Sequence, residues 1–177
     1  MLRMKEILIA IAICLVTTGP KAVAQQEKPT NELFMIHSAV LTSLDRSNHR
    51  YNIAEKTDKA YLRYFDFTVE SILFNRKEHI ANKPDWQEFI RGIDTAKLEN
   101  YRLSTNKSFW TKYHMKGKRR YSNIVFAPVM IAPDKRKALC IFDKFQSGTP
   151  GSYMAAYLEL NDGKWQVKKF DTFIYLD

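Results

Sequence analysis

Across its 177 residues the chain is poor in the features that usually announce a function. It has two cysteines, Cys14 and Cys140, and four scattered histidines, none at metal-ligand spacing. With 6 glycines there is no glycine-rich phosphate loop, and Ser38, Ser71 and Ser152 all lack a Gly-x-Ser-x-Gly setting. No catalytic residue, metal or cofactor is expected on this basis, and His37, His49, His79 and His114 read as structural. Only 6 prolines, 45% hydrophobic and 27% charged residues exclude a collagenous, low-complexity or disordered chain. One apolar run stands out, Ile7 to Val16, and it is shorter than the ~20 residues that span a bilayer.

That run follows Arg3 and Lys5 and leads to Ala22-Val23-Ala24, the order of a secretory signal peptide. Residues 1–24 are therefore expected to be cleaved after Ala24, leaving a periplasmic or secreted protein. Ile13 before Cys14 argues against a lipoprotein signal. Residues 25–30 read as a mobile leader and 31–177 as a single domain. Cleavage leaves Cys140 alone, so no intramolecular disulfide forms. Its place in the apolar run Lys137 to Phe142 makes it a buried small hydrophobe.

Charge is unevenly spread. Residues 25–100 carry 11 basic and 12 acidic side chains, and residues 101–177 carry 14 and 6. The densest cluster, Lys116, Lys118, Arg119 and Arg120, follows Trp110 and Tyr113 closely. These six residues form the candidate ligand-binding surface, with cations to attract an anion and rings to stack on it. The partners that fit are an anionic glycan, a lipid phosphate or an acidic protein surface; export makes nucleic acid an unexpected one.

The hydrophobic period changes along the chain. Leu33, Ile36, Val40 and Leu44 keep helical steps after Asn31. A short strand is expected around Tyr51 and Ile53. A second helix follows Asp58 and runs towards His79, and a third starts at Pro84-Asp85 with Trp86, Phe89, Ile90 and Ile93 on its buried side. From Tyr121 the period is two, with strands expected at Ser122–Ala132, Lys137–Phe145, Ser152–Asn161 and Lys164–Tyr175. Pro128 places the first at an edge or breaks it. Asp162-Gly163 marks a tight hairpin, and the parity change between Val167 and Phe170 calls for a bulge near Lys168-Lys169.

The fold class is accordingly α+β, with about three N-terminal helices packed on a curved antiparallel meander of four or five strands. Both faces of Lys137–Phe145 are apolar. The second face is therefore expected to be hidden by sheet curvature, a pocket or a homodimer partner.

The segment Asp134 to Ile141, the turn Gly148 to Gly151 and the hairpin Leu160 to Val167 carry a resemblance to a family. They are similar to a group of uncharacterised small secreted or envelope proteins of bacteria, notably Bacteroidetes, over about 45 residues. Members often have a cysteine pair around the Gly-rich turn, which this chain lacks, and the family implies no activity. Gly-Lys-Trp hairpins also occur in NTF2-like and other cone-shaped α+β domains, and an NTF2-like cone is the expected architecture because its curved sheet would hide both apolar faces. The expected function is a non-catalytic binding or interaction module of the envelope. The alternative is a small NTF2-like enzyme whose acid–base residues converge only in three dimensions.

Overall fold

The computed structural model describes residues 30–44, 51–65, 79–113, 122–145 and 151–173; the expected signal peptide lies outside them. Its centre is strand β4, Lys137–Phe145. Alternate side chains leave a strand on opposite faces, so Ala138, Cys140 and Phe142 point one way while Leu139 and Ile141 point the other. All five are essentially fully buried. A strand of this kind needs neighbours on both edges and a cover on both faces.

The edges are satisfied by a six-stranded sheet. Strand β5, Ser152–Asn161, pairs antiparallel with β4 along Lys137↔Glu159 to Lys144↔Ser152. Strand β6, Lys164–Phe173, continues the sheet as a hairpin. On the other edge of β4 lie β2, Asn123–Phe126, and β3, Met130–Ile131. These are the two pieces of one expected strand, broken around the buried Pro128, which has no N–H for a ladder. Beyond β2 lies β1, Asn52–Ile53.

Two expectations are corrected here. The pair β1–β2 is parallel, with Asn52↔Asn123 and Ile53↔Ile124, so the sheet is mixed and not an antiparallel meander. Parallel neighbours need a crossover connection, which residues 54–122 supply. The helices are consequently not all N-terminal. Helix α1, Asn31–Leu44, precedes β1, whereas α2, Pro84–Arg91, and α3, Lys107–Tyr113, lie within the crossover. Most of the helix expected from Asp58 to His79 lies outside the described residues. Its beginning, Lys59–Tyr64, is a 3₁₀ helix whose first turn is capped by Asp58, which accepts the Ala60 amide at 2.9 Å.

The covers follow from apolar spacing. Ile36, Val40 and Phe109, from α1 and α3, pack with Cys140, Phe142 and Leu158 in one core. Leu62, Phe65, Trp86, Phe89 and Ile90, from the crossover, pack with Leu139, Ile141 and Tyr157 in the other. The chain itself thus buries the second sheet face, where a homodimer partner had been one expectation. Helix α2 begins with Pro84 at its first turn, as its sequence implies, and is tied to the sheet at two points. Asp85 pairs with Lys137 at 3.0 Å, and the Trp86 indole N–H donates to Glu159 at 3.2 Å.

Strand β6 carries the expected bulge. Tyr157 faces Lys169 and Leu158 faces Val167, so Lys168 is the extra residue, and the side-chain parity switches there. The hairpin before it turns on Asp162 and Gly163, with φ of 49° and 71°. Two successive positive values define a type I′ turn. A Cβ on Gly163 would meet nothing within 4 Å, so any cost of adding one is conformational and not steric contact. Gly163→Ala is expected to lower stability by about 1–2 kcal/mol without changing the fold. Chemical denaturation with an unchanged m-value checks this, and an unchanged midpoint would contradict the turn assignment.

Candidate functional site

A groove of about 660 Å³ opens where α1, α3 and the start of β6 meet. Helix α1 turns Ile36 and Val40 to the sheet and leaves Met35, Ser38, Ala39 and Thr42 along the groove. Met35 is the one large apolar side chain left exposed among the described residues, at 42%. Helix α3 contributes Phe109, Lys112 and Tyr113, and the hairpin contributes Lys164 to Val167.

Aromatic contacts fix the two helices against each other. The Phe109 ring lies 5.6 Å from Phe34 and 5.1 Å from Tyr113, and the Tyr113 hydroxyl bonds Thr42 Oγ1 at 3.2 Å. Lys112 Nζ stands 4.9 Å from the Tyr113 ring centroid. Among the described residues, the lining contains two ammonium groups, Lys112 and Lys164, and no carboxylate. Neutral hydrogen-bonding side chains complete it, among them Ser38, Thr42, Asn106 and Gln166.

Of the six residues expected to bind ligand, Tyr113 lines this groove. Trp110 is on the same helix but packs against the first core. Lys116, Lys118, Arg119 and Arg120 lie outside the described residues. Reasoning from spacing missed Lys112, Lys164 and Met35, because residues more than fifty positions apart share the groove through the fold alone.

Beneath the groove, the first core holds a polar chain. Thr57 and Tyr101 exchange backbone and side-chain hydrogen bonds, with Thr57 N–H reaching Tyr101 O and Tyr101 N–H reaching Thr57 Oγ1, each at 2.9 Å. This holds the Tyr101 ring so that its hydroxyl lies 2.7 Å from His37 Nε2. The same hydroxyl accepts the Val129 amide at 3.3 Å, so its own proton goes to Nε2. Nδ1 then carries the imidazole hydrogen and directs it to Cys140 Sγ at 3.8 Å. His37 is fully buried, and burial pushes its imidazole down from 6.5 to about 3. Burial also pushes the Cys140 thiol up, which opposes thiolate chemistry. The cysteine is buried, as its sequence context suggested.

On the opposite face His79 Nε2 lies 2.6 Å from Asp171 Oδ2. A histidine–aspartate pair of this kind can drive acid–base chemistry when its second nitrogen is open to substrate. Here Nδ1 accepts the Ala81 amide at 3.1 Å, so that nitrogen is taken up in holding the Ile80–Asn82 turn and is not open to substrate. Tyr157, packed edge-on against His79 at 5.3 Å, has its hydroxyl pushed up by burial and by the Asp171 charge. Asp143 lies on the same face of the sheet. It is 7% exposed, its Oδ1 has no hydrogen-bond partner among the described residues, and burial raises its pKa. Gly151 leaves room for it: a Cβ there would lie 2.8 Å from Oδ1.

Comparison with known proteins gives no match to a family model, a curated protein or a solved structure. The chemistry of the groove therefore rests on its own geometry.

Two pH effects of opposite sign follow. Because His37 is held neutral down to about pH 3, the unfolded chain takes up a proton first as pH falls through 6.5. Stability is then lost at up to roughly 1.4 kcal/mol per pH unit between about pH 6.5 and 3. Equilibrium denaturation across that range should show a shallower slope for His37→Gln, and an equal slope would mean that His37 is solvated. Asp143 works the other way: its raised pKa lets the native state keep a proton that the unfolded chain has lost, so its ionisation costs stability as pH rises. Asp143→Asn is expected to raise Tm at pH 7 and to do so less at pH 3.5. A lower Tm at pH 7 would show that the carboxylate has a stabilising partner.

Proposed function

We propose that the protein is an exported, non-catalytic binding module and that the groove between α1, α3 and β6 takes an anionic glycan. The observation that carries this reading is the lining itself, with Lys112 and Lys164 unopposed by any carboxylate among the described residues. A sugar acid is favoured over a lipid phosphate because the groove is open and its walls offer hydroxyl and amide side chains beside aromatic ones, not an enclosed apolar channel. The basic run from Lys116 to Arg120 follows Tyr113 in sequence and adds to the long-range attraction.

The same proposal includes export through a signal peptide at 1–24 and membership of the secreted Bacteroidetes-like group. It also includes an NTF2-like cone, which α1 laid across the sheet and the bulge in β6 support. One observation favours the enzyme alternative, the buried and unpartnered Oδ1 of Asp143, since raised carboxyl pKa values recur at acid–base sites.

The test is a titration of the protein with acidic and neutral oligosaccharides of equal length at low and physiological salt. Each exposed ion pair is worth about 0.2–1 kcal/mol, so Lys112→Gln with Lys164→Gln should weaken acidic-glycan binding by roughly 2- to 30-fold at low salt. The difference should shrink as the Debye length falls towards ~8 Å. A variant with Lys118, Arg119 and Arg120 changed to Ser apportions the contribution of the basic run. Equal affinity for neutral sugars, or no effect of either variant, would refute the glycan reading.

A further inference from the structure

A second cleft, of about 650 Å³, lies on the other side of the sheet between α2 and β3. Its volume falls in the range of small-molecule sites. Phe89 and Met130, both nearly buried, line it deepest, and half-buried Ile93 and Leu98 form an apolar wall. Gly92 on the lip carries no side chain to fill the mouth.

The rim is acidic on a chain whose net charge is +9. Asp85, Glu88, Asp94 and Asp134 face Lys97 and Lys137 there. Both lysines are already engaged: Lys97 pairs with Asp94 at 3.1 Å, and Lys137 pairs with Asp85 at 3.0 Å and approaches Asp134 at 3.9 Å. Glu88, one residue before Phe89 on α2, makes no ion pair with any described residue. An uncompensated carboxylate thus stands beside an uncovered apolar wall.

We infer that this cleft binds a small organic cation with an apolar body, its ammonium group at Glu88 and Asp94 and its body on Phe89, Ile93, Leu98 and Met130. Charge complementarity selects the head group, and the apolar wall selects the rest. A neutral molecule of the same shape would leave Glu88 unpaired. An anion would meet a rim of its own sign. The inference is independent of the glycan groove, which shares none of these residues.

The test uses 4-phenylbutylamine, charged at pH 7, and 4-phenylbutanol as its neutral counterpart, titrated into the protein by NMR. The amine is expected to bind at least roughly fivefold more tightly, with shifts centred on the Ile93, Leu98 and Met130 methyl groups. Glu88→Gln together with Asp94→Asn should bring the two ligands within about twofold of each other. Both positions are exposed, and the Asp94→Asn change keeps a side-chain oxygen to accept the Ala96 amide, which Asp94 holds at 3.1 Å, so the fold is retained. Lys112→Gln with Lys164→Gln should leave amine binding unchanged. Equal binding of the alcohol, an unchanged ratio in the rim variant, shifts elsewhere, or no binding of the amine would each overturn the inference. Binding of a lysine-containing apolar peptide without the amine would overturn it too, assigning the cleft to a protein partner.

Discussion

The double-sided burial of β4 is the constraint on which the rest of the molecule depends. Residues 138–142 have no polar member, so neither face of the strand can meet water and each needs its own layer. Helices α1 and α3 form one layer. The other is built from the part of the β1–β2 crossover that precedes α3, with Leu62, Phe65, Trp86, Phe89 and Ile90; the crossover leaves the sheet at β1 and returns at β2. A parallel β1–β2 pair is therefore the topological counterpart of a strand buried on both sides: the connection that parallel pairing demands is also the cover that the second face demands.

Both clefts arise where these layers stop short of the sheet's margins. Helix α3 has seven residues, about 10 Å, against ten-residue strands of about 33 Å, so it does not cover the full length of β5 and β6. The gap beside the first layer is bordered by the β5–β6 hairpin and takes its charge from Lys112 and Lys164. The gap beside the second is bordered by α2 and the turn after β3, where carboxylates outnumber lysines. One scaffold thus presents two concave surfaces of opposite sign. With their charges of one sign separated by a sheet, they need not neutralise each other.

Much of this architecture was legible in the chain, and what was not has a physical reason. Strands β4 and β5 occupy the residues where the period of two places them, because half-buried or buried strands write their contacts into neighbouring positions. The Asp162-Gly163 turn and the Lys168 bulge were equally local. The parallel pairing of Asn52 with Asn123 is not local: nothing in a two-residue strand says whether its partner lies before or after it in the chain, or in which direction it runs. Helix α3 escaped notice because seven residues hold fewer than two full turns of periodic signal. Within the candidate site, Tyr113 was legible as an aromatic beside basic residues, whereas Lys164 reaches the groove only through the hairpin. His37 and Cys140, 103 positions apart, meet because α1 crosses β4 at that point.

The buried polar groups show how the layers are kept in register. An apolar helix on an apolar sheet can slide by a turn at little cost, since the hydrophobic effect has no direction. The chain from Thr57 through Tyr101 and Val129 to His37 and Cys140 has direction at every step, and a shift of α1 by one residue would strand a buried imidazole without partners. It ties α1, the 55–58 segment, the 101–103 segment and β4 into one arrangement, beside the groove between α1, α3 and β6. Asp143 sits in the same strand as Cys140 but on the other face, and its Oδ1 lacks any such partner among the described residues. A satisfied network specifies geometry, while a buried carboxylate oxygen without a partner costs stability. Among the described residues Asp143 is the one buried carboxyl, and Gly151, which has no side chain to crowd it, leaves room for it at that end of the second face.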